Sequence, residues 1–551
     1  MTKESTLRFA PYDLPLILFF ASAAVGIWPA YDPSLSAKTM TAFILLALGY
    51  LILSRVTMHR GVWHWAAAAL AGLGVLFAGY YVTQTGHMQG MDKIGALSRL
   101  GELIARFTPN LAFFQPDGNS AGTFLEGLIF LQVGTALRAG PRRWKIVWWG
   151  SAALTAFALL LSASRGAWMA VFAGGLLWAA LYWKPARYVL IAGVLGLAVL
   201  ALIVAVSGDL TVLDRVPVAG KLLGALFIRP DRLVVYDHSL AMLSEAPFTG
   251  IGLGDQFAMT YARYQLYLHV PFLYYSHNLF LEIWLEQGLL GIFAFLWLVF
   301  SLLRSAWIFR GEHGRLRFES TWIGIVAILI HGLSDARQTQ SLWCWLPFFG
   351  LLGVNAALIT SRRVTGTRSL PRWLPAAASA LALFVFWMAS LPIAEAVTLN
   401  RGTLTHHRAD LAPGLSDDQR AVLLDQAAAD FERTLRVSAS NFGANHRLGM
   451  ITLTQGDYEA AIDHLERANQ ARPRHIGVRK LLGLAYVHHG DLEQAVGLFK
   501  DQLNIVDEMN YYGDLYERQG RRDLSLNFFQ VSLLLNPDQA QVKQWVDEHI
   551  P

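Results

Sequence analysis

Residues Tyr274–Gly291 read "YYSHNLFLEIWLEQGLLG". The stretch opens a long apolar run, yet it carries His277, Asn278, Glu282 and Glu286. In a soluble helix this mixture would be ordinary. In a membrane helix each charged group is expensive and is kept where it serves a purpose. Which of the two applies decides the fold, and the rest of the chain answers.

The chain has 551 residues, of which 54% are hydrophobic and 15% charged. A soluble protein of this length carries about 25% charged residues. Apolar stretches long enough to span a bilayer, or nearly so, run at about 13–30, 39–54, 65–83, 120–138, 146–163, 166–183, 188–207, 278–303, 319–334, 342–360 and 373–393. They predict an all-α polytopic bundle of about eleven transmembrane helices. With the N-terminus cytoplasmic, every inner connection is basic: Arg55 and Arg60; Arg138, Arg142, Arg143 and Lys145; Lys184 and Arg187; Arg304, Arg310, Arg315 and Arg317; Arg362, Arg363, Arg368 and Arg372. The first span has no small-residue cleavage site behind it and reads as retained. The net charge of +5 is accounted for by these loops. No basic helix with interleaved aromatics is present, which argues against a nucleic-acid partner. A single cysteine, Cys344, excludes an internal disulfide and a cysteine-based metal site.

Two outer loops are long, at about 84–119 and 208–276. In the second, Arg232–Ser244 has apolar residues at helical spacing and predicts a short amphipathic helix along the membrane surface. Pro247 ends it, and Gly250, Gly252 and Gly254 predict a turn. These glycines follow no strand and open no helix, so they are not a dinucleotide fingerprint. Beyond the last span the composition turns polar and repetitive. Leu448-Gly449 recurs as Leu482-Gly483, Gly456-Asp457 as Gly490-Asp491, and Ala461 as Ala495, each after 34 residues, the tetratricopeptide period. Ala421–Leu435 reads as a preceding or capping helix, and a third, less regular pair follows. The expected organisation is a membrane bundle over 1–395 with its large periplasmic loop at 208–276, a linker at 396–415, and an α-solenoid over 416–551. Eleven spans place that solenoid outside, in the periplasm of a Gram-negative cell.

On this topology the unusual residues gather at the outer face. Arg165 lies between the fifth and sixth spans and Arg232 in the large loop. His277 starts the eighth span, and Asp335 and Arg337 follow the ninth, with His331 one turn earlier. Two arginines beside a histidine at the mouth of a bundle suit a pyrophosphate and a hydroxyl nucleophile. Each residue also has a plainer role. Arg165 can snorkel from a helix end, Arg232 can be a loop residue, His277 can bond a carbonyl, and Asn278 can cap a helix. Glu282 shares a face with Asn278 and either orients the histidine or braces the bundle, whereas Glu286 reads as structural. His488 and His489 read as surface residues rather than a metal site.

Three blocks in order resemble the O-antigen ligase and polymerase superfamily: "SASRGAW", "RLVVYDHSLAMLSEAPFTGIGLGDQF" and "SHNLFLEIWLEQGLLG". The resemblance covers about 1–395. It implies a GT-C-like fold and a metal-independent, inverting glycosyltransferase without a cofactor, in the bacterial inner membrane. The implied donor is a glycan on undecaprenyl pyrophosphate. Arg165 and Arg232 would hold the pyrophosphate and His277 would serve the acceptor hydroxyl, supported by Asn278, Glu282, Asp335 and Arg337. The acceptor stays open between a lipid-linked glycan, lipid A-core and a protein hydroxyl. The external repeats suggest a protein partner in addition to membrane lipids. Two other classes are a non-enzymatic flippase or transporter of lipid-linked glycan and a scaffold whose repeats do all the work. A flippase would line a path through the bilayer with charge, and a scaffold would tolerate loss of the three polar residues.

Overall fold

Hydrocarbon offers no water to the backbone, so an apolar segment must satisfy each N–H and C=O within itself, and it does so as a helix. The computed structural model describes residues 9–56, 62–88, 94–111, 113–207, 230–308, 315–360, 393–500 and 502–549. All regular structure among them is helical. Helices stand at the first ten predicted spans: α1 (Asp13–Val25), α2 (Pro33–Val56), α3 (Val62–Gln84), α5 (Gly118–Leu125) running on into α6 (Leu128–Arg138), α7 (Arg142–Leu161), α8 (Arg165–Ala180), α9 (Lys184–Ser207), α11 (Leu279–Ile308), α12 (Arg315–His331) and α13 (Trp345–Thr360). The eleventh, 373–393, lies outside the described residues apart from its last position. The first long outer loop holds α4 (Gly95–Ala105) and the second holds α10 (Pro230–Glu245). Among the described residues six helices are long and apolar enough to cross a membrane: Pro33–Arg55, Val62–His87, Gly118–Arg138, Arg142–Leu161, Leu279–Ala306 and Leu342–Thr360. The chain is an integral membrane protein.

The bundle core is aromatic. Phe19, Phe43, Phe295, Trp345 and Phe348 are almost fully buried, and Phe43 stands edge-on to Trp345 with ring centroids 6.2 Å apart. Apolar side chains that face outward, such as Tyr188, Ile191, Leu195, Val199 and Leu202 on α9, form a lipid-facing surface in a bilayer.

The glycine run stitches the large loop to the bundle. Gly250, Gly252 and Gly254 all have positive φ, at 66°, 117° and 85°. A Cβ on Gly250 would stand 2.2 Å from the Leu285 carbonyl oxygen, so only glycine allows the approach that gives the Ile251 N–H its 2.7 Å bond to that oxygen. α11 yields in turn. Gly288 leaves the helical region at φ 64°, ψ −163°, and the Leu289 N–H bonds the Phe248 carbonyl oxygen at 3.1 Å. The loop thus docks into a break in α11.

The repeat domain follows the same logic of small residues under large ones. Its pairs are α14 (Ile393–Leu411) with α15 (Asp417–Val437), α16 (Phe442–Gln455) with α17 (Tyr458–Ala471), α18 (Ile476–His489) with α19 (Leu492–Phe499), and α20 (Ile505–Arg518) with α21 (Arg522–Leu535), ending in α22 (Ala540–His549). Gly449 packs under Leu465, Gly483 under Phe499 and Gly513 under Phe529. Gly456 and Gly490 end their helices in the left-handed conformation, at φ 83° and 102°.

Three expectations change. Residues 396–415 are not a linker, because 393–411 form α14, packed on α15 through Leu399 and Phe431. α10 forms, but it is packed within protein on most of its surface rather than standing free. Leu233, Val235, Tyr236, His238, Met242, Leu243 and Glu245 are all buried, since α10 is held between α11, α14 and α16. His488 is only partly at the surface. It is half-buried, stacked on Tyr458 at 4.7 Å, while His489 is exposed and pairs with Asp491 at 2.7 Å.

Candidate active site

His277 sits at the entrance to α11 in a left-handed backbone conformation, φ 56°. A non-glycine residue there costs about 1–3 kcal/mol, so its surroundings must hold it. They do so on both sides. The Ser276 N–H donates to Glu282 Oε2 at 2.6 Å. Asn278 caps α11, its Oδ1 accepting from the N–H groups of Phe280 and Leu281 at 3.0 and 3.1 Å. Its Nδ2 donates to the Leu333 carbonyl at 3.0 Å. The Tyr236 hydroxyl donates to the His277 carbonyl at 3.0 Å. Asn278 and Glu282, whose roles the sequence left open, therefore meet at the turn that carries the histidine, one as helix cap and one as acceptor for the Ser276 N–H.

Asp335 lies at the centre. Its Oδ1 faces His277 Nδ1 at 3.8 Å, beyond hydrogen-bond length. Its Oδ2 accepts from Asn119 Nδ2 at 3.2 Å and faces Arg232 Nη2 at 3.7 Å. Burial alone would raise this carboxyl. The facing His277, Arg232 and His331 outweigh it and hold Asp335 well below the usual carboxylate range. Arg232 Nη1 also donates to the Ser334 carbonyl, and about a fifth of its side chain stays exposed.

Arg165 opens α8 with its side chain exposed. Ser164 caps the helix, accepting from the Ala167 N–H at 3.5 Å. The next residue, Gly166, is pressed against His331 and Ser334; an added Cβ would fall 2.5 Å from His331 Nε2. Gly166, the chain neighbour of Arg165, thus lies beside Ser334, the residue whose carbonyl holds Arg232. Below them His331 Nδ1 meets the buried Glu126 Oε2 at 2.8 Å.

Arg337 is more distant in its contacts. It pairs with Asp117 at 3.2 Å and lies over the Tyr275 ring at 5.2 Å. Tyr275 in turn packs against the His277 ring, tilted at 53° with centroids 4.3 Å apart. Glu286 is buried one turn beyond Glu282, consistent with a structural role.

Sequence reasoning passed over Tyr236, Asn119 and Glu126. Tyr236 had a signal: it stands four residues after Arg232 on a predicted helix and shares its face. Asn119 and Glu126 had none, because only the packing of α5 and α6 against α12 brings them here.

Residues 150–296 match the protein family described as O-antigen ligase. Residues 423–476 and 452–508 match families described as tetratricopeptide repeat. No curated protein matches the chain. The ligase match takes in Arg165, Arg232 and His277 and stops before Asp335. Residues 150–296 therefore form a domain of the O-antigen ligase family, carried in one membrane-embedded chain with tetratricopeptide repeats.

Proposed function

We propose that the chain transfers a glycan from an undecaprenyl-pyrophosphate donor to an acceptor hydroxyl at the periplasmic face of the inner membrane, without a metal and with inversion. The observation that carries this is the convergence of His277 and Arg232, both inside the region similar to O-antigen ligases, on Asp335 beyond it, with Gly166, the chain neighbour of Arg165, against the same Ser334 that holds Arg232. The basic residues gathered in alternate connections between the predicted spans support a periplasmic site.

The chemistry follows from the geometry. Asp335, ionised and facing Nδ1, favours a proton on that nitrogen and leaves Nε2 to act as base. Nε2 takes the acceptor's hydroxyl proton as its oxygen attacks the anomeric carbon. The bond from that carbon to the pyrophosphate oxygen breaks on the opposite face, and undecaprenyl pyrophosphate leaves. Arg232 and Arg165 carry permanent charge in a fork that matches phosphate oxygens and stabilise the departing anion. Asn278 and Glu282 keep the histidine turn in place, and Arg337 steadies Tyr275 behind it.

The test is the glycan left on undecaprenyl pyrophosphate in cells that carry only the His277→Ala protein. Long chains would identify an enzyme that caps a finished glycan onto lipid A-core or a protein hydroxyl. Single repeats would identify the polymerase. Normal product and no accumulation would remove His277 from the reaction and return the flippase and scaffold alternatives. Turnover insensitive to chelators is expected, and its loss on chelation would overturn metal independence.

A further inference from the structure

The large loop does more than reach the bundle. Tyr261–Gln265 form a π-turn that enters the repeat domain. Tyr264 is part of the repeat core. Gln265 Oε1 bonds His475 Nε2 at 2.6 Å, Lys480 Nζ donates to the Tyr267 carbonyl at 3.3 Å, and Arg263 pairs with Asp410 at 2.8 Å. Beside this seam lies a groove of about 470 Å³, within the range of ligand-binding pockets. One wall is the loop, through Arg263 and Tyr267; the other is the repeats, through Tyr458, His488, Tyr512 and Tyr516.

The chemistry of this lining is distinctive. Tyr267, Tyr458, Tyr512 and Tyr516 are each half-buried, packed on the repeat core with the remaining surface turned outward. His488 lies parallel to Tyr458, at 6° and 4.7 Å, and edge-on to Tyr516 at 5.6 Å. Arg521 lies over Tyr516 at 5.1 Å and Arg263 over Tyr267 at 4.6 Å. Burial, with the charge of Arg521 beside it, pushes His488 down to about 4. It is therefore neutral at physiological pH, and its Nδ1 is buried without a hydrogen-bond partner. The groove is lined mainly by aromatic rings with polar tips and by guanidinium groups, with Leu453 and Leu484 as its aliphatic side chains. A pyranose ring has a flat C–H face for such a ring and a rim of hydroxyls for phenol, imidazole and guanidinium groups.

We infer that this groove binds an oligosaccharide, the stretch of the transferred glycan that lies beyond its reacting end. The inference rests on the transferase reading for the identity of the chain. Two observations favour a saccharide over a peptide: the ring-and-hydroxyl lining, and the fact that the transferase's own loop lends Arg263 and Tyr267 to the site. Ten residues separate Tyr267 from His277, so the two lie at most about 36 Å apart. On the transferase reading, that places the groove within reach of a glycan several sugars long whose reacting end is at His277.

The experiment uses the full-length His277→Ala protein in lipid nanodiscs and soluble oligosaccharides of graded length, hydrolysed from the host's own surface polysaccharide and lacking lipid and pyrophosphate. We expect binding that strengthens with length and that Tyr458→Ala and Tyr512→Ala each weaken about tenfold. Tyr512→Phe keeps the ring and should lose less, which separates recognition from misfolding. In the otherwise unaltered enzyme the same groove variants should transfer a short glycan normally and shift the length distribution of long products. Oligosaccharide binding that ignores the tyrosine variants, or that an unrelated peptide displaces, would overturn the inference. Continued transfer by His277→Ala would instead defeat the catalytic reading, while the binding arm still decides the groove.

Discussion

Glu245 and Arg447 meet across the boundary between the membrane domain and the repeats, each side chain about 1% exposed. One carboxylate oxygen accepts from Arg447 Nε at 2.7 Å and from Nη2 as well. The guanidinium also lies 4.5 Å over the Tyr264 ring and reaches His407 Nε2 at 3.0 Å. Removing one partner of a buried pair typically costs about 3–5 kcal/mol, because the other charge is stranded. We expect Arg447→Met to detach the repeats from the loop, exposing Tyr261–Tyr267 to protease. Glu245→Leu in the same chain should restore much of the protection. Equal protease resistance of the single variant and the parent would show that the pair does not hold this boundary.

The same boundary should be acid-sensitive. His238, His406, His407, His446 and His475 are all buried there. Burial first, then the charges of Arg447, Arg472 and Arg263 and the neighbouring imidazoles, push all of them down, His238 to about 4 and His446 to about 3. Glu245 and Asp410 are the facing carboxylates. Free histidines titrate near 6.5, so the unfolded chain takes up protons first as pH falls. The stability of this junction is complete above about 6.5 and declines as pH drops toward the lowered values. Hydrogen exchange of Tyr261–Tyr267 should be flat from pH 8 to 7, after correction for intrinsic rates, and should accelerate below 6. His446→Leu should flatten part of that slope.

The hydroxyl of Tyr236 holds the strained His277 by its carbonyl at 3.0 Å. A hydrogen bond of this kind contributes about 1 kcal/mol. Tyr236→Phe should lower kcat by roughly five- to tenfold with little change in KM, since the loss falls on positioning rather than on donor binding. A change confined to KM would place Tyr236 in substrate binding instead.

Gly288 is the break in α11, and a Cβ there would stand 2.2 Å from the Phe248 carbonyl oxygen. Gly288→Ala should abolish accumulation of folded protein, as judged by monodisperse elution in detergent. Gly140→Ala, where nothing lies within 4 Å, is the matched control and should elute normally. Equal elution of both would mean that the loop can leave α11 without loss.

Much of this was legible in the residues. Span positions, repeat register and the Asn278 cap follow from hydropathy, a 34-residue period and a polar residue before an apolar run, all local signals. Arg232 and His277 were found through their residue types and a shared topological face. What local pattern does not carry is which helices pack together. Asn119 reaches Asp335 from 216 positions away and Tyr236 reaches His277 from 41. The linker expectation failed for a related reason. Residues 396–415 are polar and short of apolar periodicity, yet tertiary packing on α15 makes most of them helix.

That helix has a consequence for how anything bound to the repeats is presented. A flexible connector would give the repeats a cloud of positions and an effective concentration that thins with its length. Here α14 packs on α15 and also contacts α10, whose other end carries Arg232. α10 has 16 residues and is about 24 Å long. A molecule seated on the repeats is therefore offered to the bundle at one distance and in one orientation. Partners that match that geometry gain the full advantage of being held, and partners that miss it gain none.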